Sequence, residues 1–308
     1  MDAQALVLEL KKIAGEDAVR SDEPMAAHTT FQIGGPADVF VEPRTEQAVC
    51  ATFMLCRQAD VPVRVLGLGS DLLVADAGLR CVVVRLAENF ATIERQGNVL
   101  QVQAGASNAD VAQVACAAGL AGYEFASGIP GTIGGAAIMN AGAYGGEFKD
   151  VAVALRCLTP TGEVVDVSAE EAAWSYRHSM MDAAGYVVLA ATLRLTSDNP
   201  AVIQERMDDL ARRRAEKQPL DMPSAGSTFK RPEGHFVGKL VQEAGLRGVR
   251  VGGAQVSEKH TGFLVNAGDA TAADVCALIE LVQERVYEHT GVQLEPEVRR
   301  WGFEDEER

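Results

Sequence analysis

Residues 127–146 read S-G-I-P-G-T-I-G-G-A-A-I-M-N-A-G-A-Y-G-G, with seven glycines and four alanines. Each glycine inside a helix or strand costs roughly 0.5–1 kcal/mol against alanine, so the stretch is a poor candidate for either. It also carries too few large apolar side chains to add much core area. Bare backbone can approach a ligand closely, however, and glycines in tight turns aim several N–H groups at one anion. A flexible linker is the competing reading. Against it, Ile129, Pro130, Ile133, Ile138 and Met139 interleave the glycines and would anchor the loop. A ligand cradle is therefore expected.

Length and composition set the frame for that cradle. The chain has 308 residues, 47% of them hydrophobic, enough for two or three domains. No apolar run is long enough for a bilayer span. The N-terminus, Met1-Asp2-Ala3-Gln4, has no basic region leading into an apolar stretch. A cytoplasmic protein without membrane contact is expected, and a monomer. Cys50, Cys56, Cys81, Cys116, Cys157 and Cys276 stand far apart in apolar surroundings, with no C-x-x-C or His/Cys pair to suggest a metal. They are expected to be buried free thiols of a reducing compartment. Net charge is −15, the opposite of what phosphate-gripping nucleic-acid binders show. On so acidic a chain, cations that capture an anionic substrate have to be placed locally.

Periodicity suggests an α+β chain. Leu6, Leu10 and Ile13 share a face of a helix over 3–14, and Thr45 caps a helix to about Ala59. Short strands are expected at 37–41, 63–66, 72–74, 81–86, 92–95 and 99–104, then an alanine-rich helix at 108–118. Residues 21–30 read as a polar connector. Further strands are expected at 151–158, 163–166 and 186–195, with Ser168-Ala-Glu-Glu171 as a capping box opening a short helix. Ser197-Asp-Asn-Pro200 marks a boundary with proline at a helix start. The helix that follows to Lys217 carries Arg206, Arg212, Arg213, Arg214 and Lys217, charges that suit a solvated end complementing the helix dipole. Beyond about 220, helices are expected at 236–244 and 271–290, and strands at 262–267 and 294–300. The division is a mixed-sheet domain over 1–199, with subdomains of about 1–66 and 67–199, and a smaller α/β domain over 200–308.

Gly67-Leu-Gly-Ser-Asp71 follows a strand and opens a tight turn. It is not a dinucleotide fingerprint, because position 72 is leucine and no helix pattern follows. Paired with the 127–146 cradle it suggests two backbone nests for one long diphosphate ligand.

At this pairing the chain resembles the flavin-binding domains of the vanillyl-alcohol-oxidase type and, more closely, the UDP-N-acetylenolpyruvylglucosamine reductase family. The segments that carry the resemblance run from His28-Thr-Thr-Phe-Gln-Ile-Gly-Gly35 to Glu297-Val-Arg299. Between them come Leu66-Gly-Leu-Gly-Ser-Asp-Leu-Leu-Val74, Gly128-Ile-Pro-Gly-Thr-Ile-Gly-Gly135, Met139-Asn-Ala-Gly-Ala-Tyr-Gly-Gly-Glu147 and Tyr176-Arg177. Later matches are Gly226-Ser-Thr-Phe-Lys-Arg-Pro232, Gly238-Lys-Leu-Val241, Lys259-His260 and Leu294-Glu-Pro-Glu-Val298. The short stretch between Tyr176-Arg177 and Gly226-Ser227 fits the family's shorter branch. Asp71 departs from the usual asparagine, losing an amide donor and placing a negative charge near the cofactor diphosphate.

The resemblance implies an α+β fold with an FAD domain and a smaller substrate domain. It implies non-covalent FAD, because Val65–Val74 holds no His or Cys to tether it, and NADPH as co-substrate. NADPH and an enolpyruvyl UDP-sugar would share one cleft. Cofactor contacts are expected from Gly67, Gly69, Ser70, Asp71 and Leu72, and from Ser127, Ile129, Pro130, Gly131, Thr132, Ile133, Gly134 and Asn140. Arg177 would be the guanidinium on the substrate carboxylate, Ser227 the proton donor and Glu297 the third catalytic group. On residues alone, the competing readings are a surface arginine at Arg177, a turn serine at Ser227, and exposed edge-strand acids at Glu295 and Glu297. Lys217, Arg231 and Lys239 are candidates for the sugar nucleotide, with Lys259 and His260 behind them; His260 reads equally as a hydrogen-bonded structural histidine. Another FAD-dependent alcohol or lactone oxidase of this fold, or a non-catalytic nucleotide-binding module, are the competing expectations.

Overall fold

The computed structural model describes residues 2–303, which pack as two compact units. The first gathers residues up to Ser21, Val39–Leu68 and Cys81–Arg214; the second gathers Asp22–Asp38, Gly69–Arg80 and the chain from Ala215. The sequence pattern predicts boundaries near residues 66 and 200. Packing divides the chain otherwise: Pro200–Arg214 falls with the first unit, and two early segments fall with the second.

A five-stranded antiparallel sheet organises the first unit, in the order Val164–Ser168, Ala152–Leu158, Val187–Arg194, Val99–Gln103, Ile93–Gln96. Its register is seen at Leu155 opposite Ala191 and Ala191 opposite Val102. In the Val187–Arg194 strand, Leu189, Ala191 and Leu193 are buried while Ala190, Thr192 and Arg194 are not, the alternation of a sheet with one face on a core. Val63–Leu66 pairs in parallel with Leu79–Arg85, Val65 opposite Val84. One core cluster joins Val41, Val84, Phe90, Leu100, Leu155 and Leu189 to Leu6 and Leu10 of the Ala3–Ala14 helix. Glu42 lies within this unit, bound by Arg85 at 2.6 Å and Arg20 at 2.8 Å.

The second unit is built on a three-stranded antiparallel sheet, Arg250–Val251, Ala254–Val256 and Leu264–Asn266. Against it pack the helices Val237–Glu243 and Ala272–Thr290. The long helix buries Val275, Leu278, Ile279, Val282 and Val286 on one stripe, each worth roughly 1.5–3 kcal/mol when fully covered. Thr271 and Asp274 form a capping box at its start, and Asp76 accepts from Ala272 and Ala273 at 2.8 and 3.1 Å. Thr30 Oγ1 donates to the Ser224 carbonyl at 2.6 Å, and Asn266 Nδ2 to that of Phe31 at 3.1 Å. These bonds, with Phe31, Ile33 and Leu73 in the same core cluster, bring the early segments into this unit.

Four local expectations differ from the structure. Residues 133–139 form a helix despite their glycines, because Thr132 caps it and the turn after the Val99–Gln103 strand takes its first amides at Ala104 and Ala106. Ser168 and Glu171 make their reciprocal bonds, but no helix follows them; Ala173 turns left-handed at φ 46° and ends the turn. The 21–30 connector begins as the strand Val19–Pro24. The last strand covers only Arg299–Trp301, parallel to Leu72–Val74, so Glu297 precedes it.

All six cysteines are free, four of them buried and Cys50 and Cys276 half-buried. Burial pushes Cys56 up to about 11 and Cys157 to about 12, leaving both as inert thiols. Among the described residues, no helix is long and apolar enough to cross a membrane, and no cluster of His, Cys, Asp and Glu could hold a metal.

Candidate active site

In the first unit the glycine stretch is held from both sides. Asn108 N–H donates to the Gly131 carbonyl at 3.1 Å; Ile133 and Gly134 N–H donate to Ala106 and Ala104 at 2.9 and 2.8 Å. Thr132 Oγ1 caps the Ile133–Met139 helix by accepting from Gly135 N–H. Ile133 is buried in the core, so its side chain is an anchor; Ser127 Oγ donates to Glu124 O at 2.8 Å and closes the preceding turn. Ile129 is half-buried, and Pro130 and Gly128 are exposed.

The end of the Val63–Leu66 strand meets this loop. A Cβ on Gly67 would lie 2.5 Å from Thr132 Oγ1, and one on Gly134 would lie 3.0 Å from Ala104 Cβ. Only hydrogen fits at Gly67. Among the described residues, the N–H groups of Gly131 and Thr132 donate to no acceptor, which leaves them available to an anion. Side-chain-poor backbone packed this closely, with amides still to satisfy, fits a flavin dinucleotide diphosphate.

Arg214 is a cation that the sequence pattern did not single out. It is half-buried, not solvated like its helix neighbours, and its Cδ lies 3.1 Å from the Cβ position of Gly128. Burial lowers its pKa, partly opposed by the field of Tyr144, another residue of the glycine stretch. Helical spacing alone could not separate Arg214 from Arg212 and Arg213; only packing against Gly128 does.

Arg177 sits at the tip of a tight turn closed by Ser175 and His178, whose N–H groups bond each other's carbonyls at 3.1 and 3.3 Å. Its backbone is left-handed at φ 54°, a conformation non-glycine residues rarely hold without surrounding constraint. The guanidinium lies 5.0 Å from the Tyr176 ring centroid. Asn140 is 1% exposed, and its amide is engaged within the chain: Nδ2 donates to Glu147 Oε2 and Ser175 O at 2.9 and 3.1 Å, and Oδ1 accepts from Lys149 N–H at 3.0 Å.

In the second unit, Gly69 is buried at φ 60°, and a Cβ there would lie 2.2 Å from the His28 carbonyl. Thr30 N–H donates to Gly69 O at 3.0 Å. Ser70 and Asp71 are half-buried; Leu72 is buried, opposite Arg299 in a parallel pair.

Ser227 and Glu297 lie on two segments brought together by backbone bonds. Glu297 N–H donates to Thr228 O at 2.8 Å and Lys230 N–H to Glu295 O at 2.8 Å, with Phe229 bridging Pro296. Ser227 itself bridges Phe263, and its hydroxyl donates to Phe229 O at 3.2 Å. Glu295, by contrast, is exposed and pairs with Lys230 Nζ. This separates the two acids that the sequence left equivalent.

The expected substrate cations differ in their surroundings. Lys217 is exposed at the end of the Pro200–Lys217 helix, beside His260; Lys259 Nζ donates to Ala215 O at 2.6 Å. Burial first, then the charge of Lys217, pushes the His260 imidazole down, and its Nδ1 accepts from Gly262 N–H at 3.1 Å. Arg231 lies 4.0 Å over the exposed Phe236 ring and donates from Nε to His235 O. Lys239 is exposed on its helix and pairs with Glu243 at 3.7 Å.

Comparison with known proteins bears on both units. An FAD binding domain description matches residues 37–168. The description "UDP-N-acetylenolpyruvoylglucosamine reductase, C-terminal domain" matches residues 218–301. With the glycine cradle and its unsatisfied amides, these matches define the class: an FAD-dependent oxidoreductase. The UDP-N-acetylenolpyruvoylglucosamine reductase of Alkaliphilus oremlandii is 49% identical over 99% of this chain and 100% of its own length. That of Agathobacter rectalis is 51% identical over 91% of this chain and 93% of its own. The solved Thermus caldophilus enzyme superposes with a TM-score of 0.81 at 37% identity, over 92% of this chain and 99% of that one. The chain belongs to the UDP-N-acetylenolpyruvoylglucosamine reductase family.

Proposed function

We propose that this chain reduces UDP-N-acetylenolpyruvylglucosamine to UDP-N-acetylmuramate, a peptidoglycan precursor, using NADPH and non-covalently bound FAD. The observation that carries this is relatedness along the whole length: 49% identity over 99% of the chain to a reductase of that name. An alcohol or lactone oxidase of the same fold is not favoured, because residues 218–301 match the reductase's own C-terminal domain.

The residues in hand suit such a reaction. The substrate is an enol ether conjugated to a carboxylate. FAD, when bound, would supply the hydride-transfer chemistry linking NADPH to the terminal alkene carbon. Negative charge then develops on the carbon beside the carboxylate and spreads into that carboxylate. Arg177 would hold the carboxylate with its planar fork and offset the growing charge. Ser227 would deliver the proton to the carbanionic carbon, and solvent would restore it. Glu297 would be the third catalytic group. The Gly67–Thr132 contact, the amides of Gly131 and Thr132, and Arg214 would hold the cofactor diphosphate. Lys217 and Arg231 would meet the uridine diphosphate. NADPH and the sugar nucleotide would use one site in alternation, in the cytoplasm.

The test is anaerobic. Purified yellow protein is bleached with NADPH, and enolpyruvyl-UDP-N-acetylglucosamine is then added. Return of colour without oxygen supports the proposal; a flavin reoxidised only by oxygen, or colourless protein, sinks it. Flavin released into the supernatant on acid precipitation would establish non-covalent attachment.

A further inference from the structure

The turn that carries Arg177 is fastened to the cofactor cradle at three points, all within the first unit. Trp174 Nε1 donates to Ala137 O at 2.7 Å, and Ser179 Oγ donates to Ile138 O at 2.8 Å. Both acceptors are carbonyls in the last turn of the Ile133–Met139 helix, where no intrahelical donor remains. The third point is Asn140, the left-handed C-cap of that helix at φ 43°, whose Nδ2 donates to the Ser175 carbonyl at 3.1 Å. Ser175 is the residue that closes the Arg177 turn against His178.

The same Nδ2 also holds the Glu147 carboxylate at 2.9 Å, and Lys149 Nζ binds that carboxylate at 2.6 Å. Hydrogen bonding from Lys149 first, then from Asn140, with the charges of Lys149 and Arg177, keeps Glu147 below the usual glutamate range. So a fixed anion lies within the field of the Arg177 guanidinium. An arginine on a strained left-handed backbone needs such support to keep its fork in one orientation. Asparagine suits the cap because it tolerates the left-handed region and still has two amide hydrogens to share.

We infer that Asn140, with the Glu147 carboxylate it holds, is a positioning residue for Arg177, so that the helix end of the flavin cradle sets the orientation of the carboxylate-binding guanidinium. This rests on the reading of Arg177 given under Proposed function. It moves Asn140 from the cofactor contacts expected from the sequence to a role acting through another residue.

Half-reactions of the flavin-loaded enzyme test it. Arg177→Ala, Asn140→Ala, Glu147→Gln and the double variants are each reduced with NADPH and then reoxidised by the enolpyruvyl sugar nucleotide in a stopped-flow instrument. Asn140→Ala is expected to slow reoxidation about 10- to 100-fold while changing reduction by less than about two-fold. Glu147→Gln, which keeps an acceptor for Asn140 but loses the charge, is expected to show the same split at about 3- to 10-fold. In the Arg177→Ala background either change should add less than about two-fold, since coupled residues are not additive. Equal slowing of both half-reactions, or full multiplication with Arg177→Ala, would overturn the inference. Should Asn140→Ala fail to fold or to retain flavin, Glu147→Gln decides alone: no split there also overturns it. If Arg177→Ala itself leaves reoxidation intact, the reading of Arg177 fails instead.

Discussion

Glu297 donates its backbone N–H to the carbonyl of Thr228 at 2.8 Å, which sets it across from the residue that follows Ser227. A hydrogen-bonded pair of segments, 227–230 and 295–297, therefore carries two of the three proposed catalytic groups. Their separation depends on backbone bonds, not on the conformation of a long loop.

Ser227→Ala is expected to leave reduction of the flavin by NADPH within about two-fold. Reoxidation by the sugar nucleotide should slow by about 100- to 10,000-fold, the usual range for loss of a positioned acid. Glu297→Gln is expected to slow the same half-reaction. Stopped-flow absorbance at the flavin band measures both. Comparable loss in the two half-reactions would contradict the assignment of Ser227 as the acid.

Gly67 and Gly69 stand two residues apart but fail differently on substitution. Gly67→Ala would press a methyl group against the Thr132 side chain, whose Oγ1 is 2.5 Å from the Cβ position. A loss of about 1–3 kcal/mol in stability and weaker flavin retention are expected. Thr132→Ala removes that obstacle at the cost of a helix cap, so the double variant should be less impaired than the sum of the singles. At Gly69 the obstacle is the His28 carbonyl, 2.2 Å away, at a backbone φ of 60°. No side-chain change relieves it, and Gly69→Ala should remain the worse variant in thermal denaturation.

Acid should weaken the first unit through Glu42. Burial alone would raise its pKa, but hydrogen bonds from Arg85 and Arg20 more than offset this and hold it below the usual glutamate range. A carboxylate depressed in this way stabilises the fold above its unfolded pKa, and the contribution vanishes as pH falls through the folded value. Glu42→Gln should cost about 1–3 kcal/mol near neutrality, because two half-buried guanidinium groups lose the carboxylate charge they share. It should also flatten the fall of Tm between neutral pH and the acid range. A variant with wild-type acid dependence would refute the assignment.

The expected substrate lysines should separate on kinetics. Lys239 pairs with Glu243 on an exposed helix face, an interaction that contributes little, and Lys239→Ala should change KM for the sugar nucleotide by less than about two-fold. Lys217, close enough to His260 to lower its pKa, stands next to a second family segment, and Lys217→Ala should raise KM by about 10-fold. The reverse ranking would move the uridine diphosphate to the other helix.

Much of this chain is legible in its amino-acid sequence. The Ala3–Ala14 and Ala272–Thr290 helices follow from apolar spacing and capping residues, both of which act within a few positions of chain. The need for bare backbone at 127–146 was equally local, since glycine density bears on close approach wherever the segment ends up. Other features could be decided only by residues distant in sequence. Thr132 and the amide acceptors at Ala104 and Ala106 turn a glycine run into a helix. Lys230 takes Glu295 as its partner while Thr228 binds the Glu297 backbone, so two acids alike in sequence come apart. Packing against Gly128 distinguishes Arg214 among three consecutive arginines, and Asn140 becomes a strut because Ser175 and Glu147 reach it. Propensity and periodicity act over a turn or two, whereas hydrogen-bond partners and excluded volume are set by where the tertiary fold brings the rest of the chain.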